Sequence, residues 1–345
     1  MAVAHSACSG CQKTRWYGNK LMLVSSVLAL ASALSYFLPV LVPFRMALFM
    51  YLGRIWWAVL LGLLLGGVIN HFIPREYISH ILASPKKRTI FYSVIVGFFM
   101  SACSHGILAL SIQLHKKGAS NPAVVAFLLA SPWANFPLTI MLIAFFGLKA
   151  LYIIFCAIFI AITTGLTYQI LEAHNLIEKN ENTAKITQGF SIGADFRKRS
   201  SEYKLSKQQL KKDARGVYDG AISLANMVLW WIFIGMGIAS VVGAYVPQDI
   251  FRHYMGPTFT GLMVTLLVAT IIEVCSEGSA PLAFEIYRQT SAFGNVFVFL
   301  MAGVVTDYTE IGLLWSNVGK KVAIWLPIIA VPQVVALGML ANIIF

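Results

Sequence analysis

Long apolar blocks alternate with short polar and basic joints along this chain. About 20 consecutive apolar residues cross a bilayer as a helix. Leu21–Leu41, Arg54–Phe72, Ala150–Ile170 and Val322–Ile344 meet that length and predict membrane spans. The first run is long and ends at Pro39 and Pro43 rather than at a small-residue cleavage site, so it reads as a retained helix. Two further blocks, Thr89–His115 and Thr258–Arg288, are apolar on both sides of a polar interruption. Pro122–Phe146 and Phe293–Asn317 are spans with breaks expected at Ser131–Pro137 and Gly303–Asp307. Pro132 and Pro137 each remove a helical amide donor there.

The interruptions repeat. Cys103-Ser104-His105-Gly106 returns 172 positions later as Cys275-Ser276-Glu277-Gly278, and the register holds through Asn135, which falls on Asp307. Upstream, Ile55-Trp56-Trp57 echoes Leu229-Trp230-Trp231, and His80 echoes His253. The chain therefore divides into a tail (1–20), an extra span (21–49), repeat one (50–171), a polar linker (172–219) and repeat two (220–345). The linker is expected to be partly helical over Ser206–Val217.

Charge sets the topology. Lys86, Lys87 and Arg88 precede the first interrupted block, and Lys116 and Lys117 follow it. Cytosolic joints carry the excess of Lys and Arg, so both sides of the block face the cytosol and it enters and returns. Each arm has about a dozen residues, roughly 18 Å of helix, which reaches the middle of a ~30 Å core. One hairpin and three spans make an odd number of crossings, so repeat two is inverted. Lys320 and Lys321 then fall on the cytosolic side. The fold class is all-α polytopic, with two inverted-topology repeats, each carrying a re-entrant broken hairpin.

Composition agrees: the 345 residues are 58% hydrophobic and 12% charged, with mean hydropathy +0.76. Soluble domains carry about 25% charged residues. The net charge of +12 sits at membrane edges and in the linker, which argues against nucleic acid as a partner and for lipid headgroups. The expected location is the cytoplasmic membrane. Five cysteines make no disulfide framework; Cys8 and Cys11 form a CxxC in the tail, read as two incidental thiols, with a soft-metal or redox pair as the alternative.

Inverted repeats with broken helices place a transported solute at the midplane. The substrate-binding candidates are Cys103, Ser104, His105, Asn135, Cys275, Ser276, Glu277 and Asp307. Acidic residues at that depth are costly unless they face water, a cation or each other; Glu273, Glu277, Asp307 and Glu310 are the candidates for proton coupling. Gly106, Pro132, Pro137 and Gly278 mark the breaks. Thiolate and imidazole suit soft or borderline ions, which makes Cys103, His105, Cys275 and Glu277 candidate metal ligands; inert buried thiols are the competing reading. Glu285 and Arg288 read as ordinary residues near an edge. No cofactor is expected. Secondary active export of a small cation or metalloid species, with proton coupling, is the leading expectation. A permease for another small solute, a thiol–disulfide enzyme using Cys103 and Cys275, and a passive channel are the rivals.

Over roughly residues 50–345 the sequence resembles the predicted-permease family that includes organoarsenical efflux permeases and YraQ-type permeases. Cys103-Ser104-His105-Gly106, Lys117-Gly118-Ala119-Ser120, Ala126–Pro132 and Cys275-Ser276-Glu277-Gly278 carry the resemblance. It implies a membrane permease, and paired thiols in the arsenical exporters imply trivalent arsenic. Here His105 and Glu277 stand at the second thiol position, which opens the site to a transition-metal cation or another small solute.

Overall fold

A computed structural model of the chain describes residues 20–72, 88–98, 104–116, 118–134, 136–180, 207–272 and 276–345. Every regular element among them is helical, as the block pattern predicts. In repeat order, α1 is Lys20–Leu34 and α2 is Val42–Phe72. The first hairpin is α3 (Arg88–Phe98) and α4 (Ser104–Lys116). Then come α5 (Asn121–Ala134), α6 (Phe136–Phe146) and α7 (Ala150–Ala173). The second half contains α8 (Lys207–Tyr245), the short α9 (Gln248–Tyr254), the hairpin arms α10 (Phe259–Ile272) and α11 (Ser276–Thr290), then α12 (Phe293–Val305), α13 (Tyr308–Asn317) and α14 (Lys320–Ile344). Among the described residues five helical stretches are long and apolar enough to cross a membrane, and six if α9 and α10 count as one bent unit.

Some boundaries differ from the sequence reading. The helix expected from Arg54 begins at Val42, where Pro43 occupies the first turn and lacks only a donor that would have no partner there. Arg45 lies inside it, its guanidinium stacked 4.2 Å from the Tyr36 ring. The basic end of the linker is continuous with the next span: α8 runs unbroken for 39 residues. His71 at the end of α2 meets Asp213 of α8 at 3.0 Å, which ties the two helices together there. Pro247 and α9 turn the chain, and α9 lies at 112° to α10.

Two ends of the bundle can be named from what lies there. At the Lys149 end, Gly147 takes φ +62° and reverses the chain between α6 and α7. Phe293 at the start of α12 and Phe345 at the end of α14 pack on Tyr152 of α7 there. At the Lys320 end, Glu178 beyond α7 accepts from the Lys321 amide and, through its carbonyl, from Asn121 at the start of α5. Helix α14 lies antiparallel to both α7 and α12: Tyr168 donates to the Val322 carbonyl, Tyr152 to that of Leu337, and Gly294 meets Gly338 backbone to backbone. Helices α2 and α8 form a second long pair, with Gly67 tight against the backbone of Val217 and Ala221.

Candidate functional site

The second hairpin can be followed residue by residue. Asn295 near the start of α12 donates to the Met255 and Gly256 carbonyls and to Thr265 of α10. Gln248 of α9 donates to the Gln289 carbonyl at the end of α11. The start of α10 and the end of α11 therefore share the Lys149 end. Between them α10 runs beside α12 until Thr270 and Thr306 meet, hydroxyl to hydroxyl, at 2.7 Å. That contact places the last turn of the inbound arm against the residue before Asp307.

The first hairpin has the same plan at the opposite end. Ile90 at the start of α3 packs with Ala126 around Gly165 of α7. At the end of α4, Asn180 donates to the His115 carbonyl, and the chain turns through Gly118 (φ +98°) into α5. Near the other end of α3, a Cβ on Gly97 would lie 2.7 Å from the Ser131 hydroxyl, four residues before Asn135. The inbound arm reaches its neighbour four residues before the break in the first half and at the break in the second.

The breaks begin new helices, and polar residues gather at those starts. Ser276 and Glu277 open α11 and are buried, with the Ser276 hydroxyl donating to Glu277 Oε2 at 3.0 Å. Gly278 packs so closely on α8 that a Cβ at Gly235 would stand 1.9 Å from its carbonyl oxygen. Asp307 caps α13, accepting from the Glu310 amide at 2.9 Å. Glu310 is fully buried in the first turn. Carboxylates there oppose the positive end of the helix dipole. In repeat one, α6 starts at Phe136, and Pro137 fits against Gly62 of α2 at a spacing that leaves no room for a side chain.

The sequence expected Pro132 at a break; it lies inside α5, which continues to Ala134. Cys103, Asn135, Glu273 and Cys275 lie outside the described residues. Ser104, His105 and Gly106 occupy the first turn of α4 in backbone, and their side chains lie outside the description. Among the described residues no three His, Cys, Asp or Glu side chains form a metal-sized group. Cys156 is a free, buried thiol in α7.

Two features escaped the sequence reading. Trp133, two residues before Asn135, is fully buried, and its indole Nε1 has no hydrogen-bond partner among the described residues. Its position within the Ser131–Pro137 interruption was the available signal. Glu285, expected to be an ordinary edge residue, is 0% exposed. It accepts from the Tyr51 hydroxyl of α2, from Arg288 at 2.9 and 3.0 Å, and from Gln289 at 2.6 Å. The spacing of Glu285, Arg288 and Gln289 at i, i+3 and i+4 is the local sign of that cluster.

A bundle of apolar helices with interrupted spans and buried carboxylates at the interruptions defines a polytopic membrane transport protein. The chain belongs to the predicted permease family, whose sequence profile matches residues 45–343. It is 23% identical over 287 residues to the UPF0718 protein YcgR of Bacillus subtilis (strain 168), covering 82% of this chain and 90% of that one. It is 20% identical over 259 residues to the “Putative two-component membrane permease complex subunit” of Streptococcus mutans, covering 74% and 80% of the two chains. “Putative permease Rv2963” of Mycobacterium tuberculosis is 26% identical over 253 residues, 68% of this chain and 60% of that one. No solved structure matches the chain.

Proposed function

We propose that this permease is a secondary active exporter of a small soft or borderline cation or metalloid species, working by alternating access and coupled to protons, in the cytoplasmic membrane. One observation carries the reading. The two hairpins open toward opposite ends of α7, and each inbound arm ends against the following span within four residues of its break, at Gly97–Ser131 and at Thr270–Thr306. A solute held between the breaks is then within reach of both repeats. Inverted repeats give the fold two related states, because each half can adopt the arrangement of the other.

The described residues divide the work. Glu277, Asp307 and Glu310 supply negative charge on the repeat-two side, for a cation or for protons taken up as it leaves. Trp133 presents an N–H donor on the repeat-one side. Cys103, His105 and Cys275 would add soft ligands, Glu273 a further proton site, and Ser104, Ser276 and Asn135 neutral ones. The Lys320 end carries Arg88, Lys116, Lys207, Lys211 and Lys212 as well as Lys321, which supports assigning it to the cytosol.

The test is resistance of a deletion strain, complemented by variants, against a panel of metals, metalloids and antimicrobials. Cys275→Ala and Glu277→Gln are expected to abolish resistance while membrane insertion stays normal. Full resistance in both variants removes the breaks from the transport path.

A further inference from the structure

The two ends of the α2–α8 pair are packed differently. In repeat two the return arm α11 lies along α8, with Gly278 on Gly235 and Glu285 against Gly243. Its repeat-one counterpart, α4, does not pack along α2 among the described residues. Helix α6 lies along α2 through Pro137 and Gly62. Its counterpart α13 does not pack along α8 among the described residues. Both clasped helices reach the Lys149 end, and both unclasped ones reach the Lys320 end.

At the clasped end the contacts cross between repeats. Phe145 of α6 stacks on Phe284 of α11 at 4.7 Å, and the Arg54 guanidinium of α2 lies 4.8 Å from the same ring. Arg54 also donates to the Ala144 and Phe145 carbonyls. The Tyr51 hydroxyl donates to Glu285 beneath, and Lys149 donates to the Tyr287 hydroxyl above at 2.9 Å. Around the unclasped end, Ser223 and Asn226 of α8 are exposed, although they sit inside the apolar run after Gly220. On α13, Tyr308, Thr309, Leu313 and Ser316 are exposed as well. Polar side chains at that depth are tolerated where water reaches them.

We propose that Tyr51, Phe145, Phe284 and Glu285 form the extracytoplasmic gate of the permease, shut in this structure, and that the conformation described is the one open to the cytosol. The proposal rests on the alternating-access reading above, but its test needs no substrate. Glu285 is the fixed point of the gate. Its carboxylate holds Tyr51 from the other repeat while Arg288 and Gln289 hold it in place on its own helix. Opening must part Tyr51 from Glu285 and Phe145 from Phe284, and close α4 onto α2 and α13 onto α8 at the far end.

The experiment uses full-length protein in right-side-out and inverted membrane vesicles, a membrane-impermeant maleimide, and peptide mass mapping to place the label. Asn226→Cys is expected to react from the cytosolic side only. Ser279→Cys, on α11 behind the gate, is expected to stay unlabelled from the outer side. A hydrogen bond to a charged group weighs on a two-state equilibrium by about tenfold or more. Adding Tyr51→Phe, or separately Glu285→Gln, is therefore expected to speed outer-side labelling of Ser279→Cys about tenfold. Tyr51→Phe removes a single hydroxyl and guards against a Glu285→Gln chain that fails to insert. Outer-side labelling of Asn226→Cys, or its protection from both sides, overturns the assignment of the state. Unchanged protection of Ser279→Cys in an inserted Tyr51→Phe variant overturns the gate. If labelling follows expectation while Cys275→Ala and Glu277→Gln leave resistance intact, the gate stands and the substrate site falls.

Discussion

Helices α11 and α4 descend from the same repeated motif and have opposite surroundings. Helix α11 is buried along most of its length and meets α8 backbone to backbone. Helix α4 packs on α5 and, among the described residues, does not pack along α2, where Leu61, which corresponds to Gly235 in the repeat register, is 43% exposed. The two helices differ in which neighbour they hold. The difference teaches that the residues fastening one end are not duplicated at the other: Glu285 corresponds to Gln113, Arg288 to Lys116 and Gly235 to Leu61.

The largest expected effect is therefore at Gly235. Gly235→Leu has no space against the Gly278 carbonyl, and folded protein is expected to vanish from detergent-extracted membranes on size-exclusion chromatography. Leu61→Val, at the corresponding position, is expected to change stability by less than about 0.5 kcal/mol. Equal losses at both positions would erase the contrast between the ends.

Next comes Arg288→Ala, which strips the buried Glu285 carboxylate of its cation. Breaking a buried pair from one side costs about 3–5 kcal/mol. The Arg288 side chain is 43% exposed, so the low end of that range is expected in unfolding titrations. Lys116→Ala, its counterpart, should be silent.

A smaller effect separates capping from charge at the second break. Asp307→Ala loses the cap of α13, worth about 0.5–2 kcal/mol, together with transport. Asp307→Asn keeps the cap and is expected to lose transport alone, read as resistance beside a melting curve. The smallest effect is a gain. Gly312 of α13 has open space around it, so Gly312→Ala should stabilise by about 0.5–1 kcal/mol and leave resistance unchanged.

Much of this arrangement was legible in the chain because it is local. The motifs Cys103–Gly106 and Cys275–Gly278 fall at the starts of α4 and α11, whose first turns hold Ser104–Gly106 and Ser276–Gly278, so the expected break points Gly106 and Gly278 lie just inside helices. The second interruptions fall between the described ends Ala134 and Phe136 and at Thr306–Asp307. What stayed hidden depends on contacts far apart in sequence. The span expected from Arg54 starts a dozen residues earlier, at Val42, and runs through Arg45, which stacks on the Tyr36 ring. Pro132 looked like a break, yet its helix carries on for two more residues. Glu285 looked marginal because it lies near the end of its apolar block; its partner Tyr51 comes from far away in sequence. Periodicity reports which face of a helix is apolar and says nothing of which helix will cover it.

Helix α8 is one unbroken rod of 39 residues, about 58 Å at 1.5 Å per residue, where a bilayer core takes about 30 Å. Its first turns stand clear of the membrane and bear Lys207, Lys211 and Lys212. A rod without a hinge cannot confine a tilt to its middle. Any swing of α8 about the Gly235–Gly278 crossing must reappear, magnified by leverage, at that basic tip. The protein thus carries its own pointer on the aqueous side, and a fluorophore on Lys207 would read the buried crossing from outside the lipid.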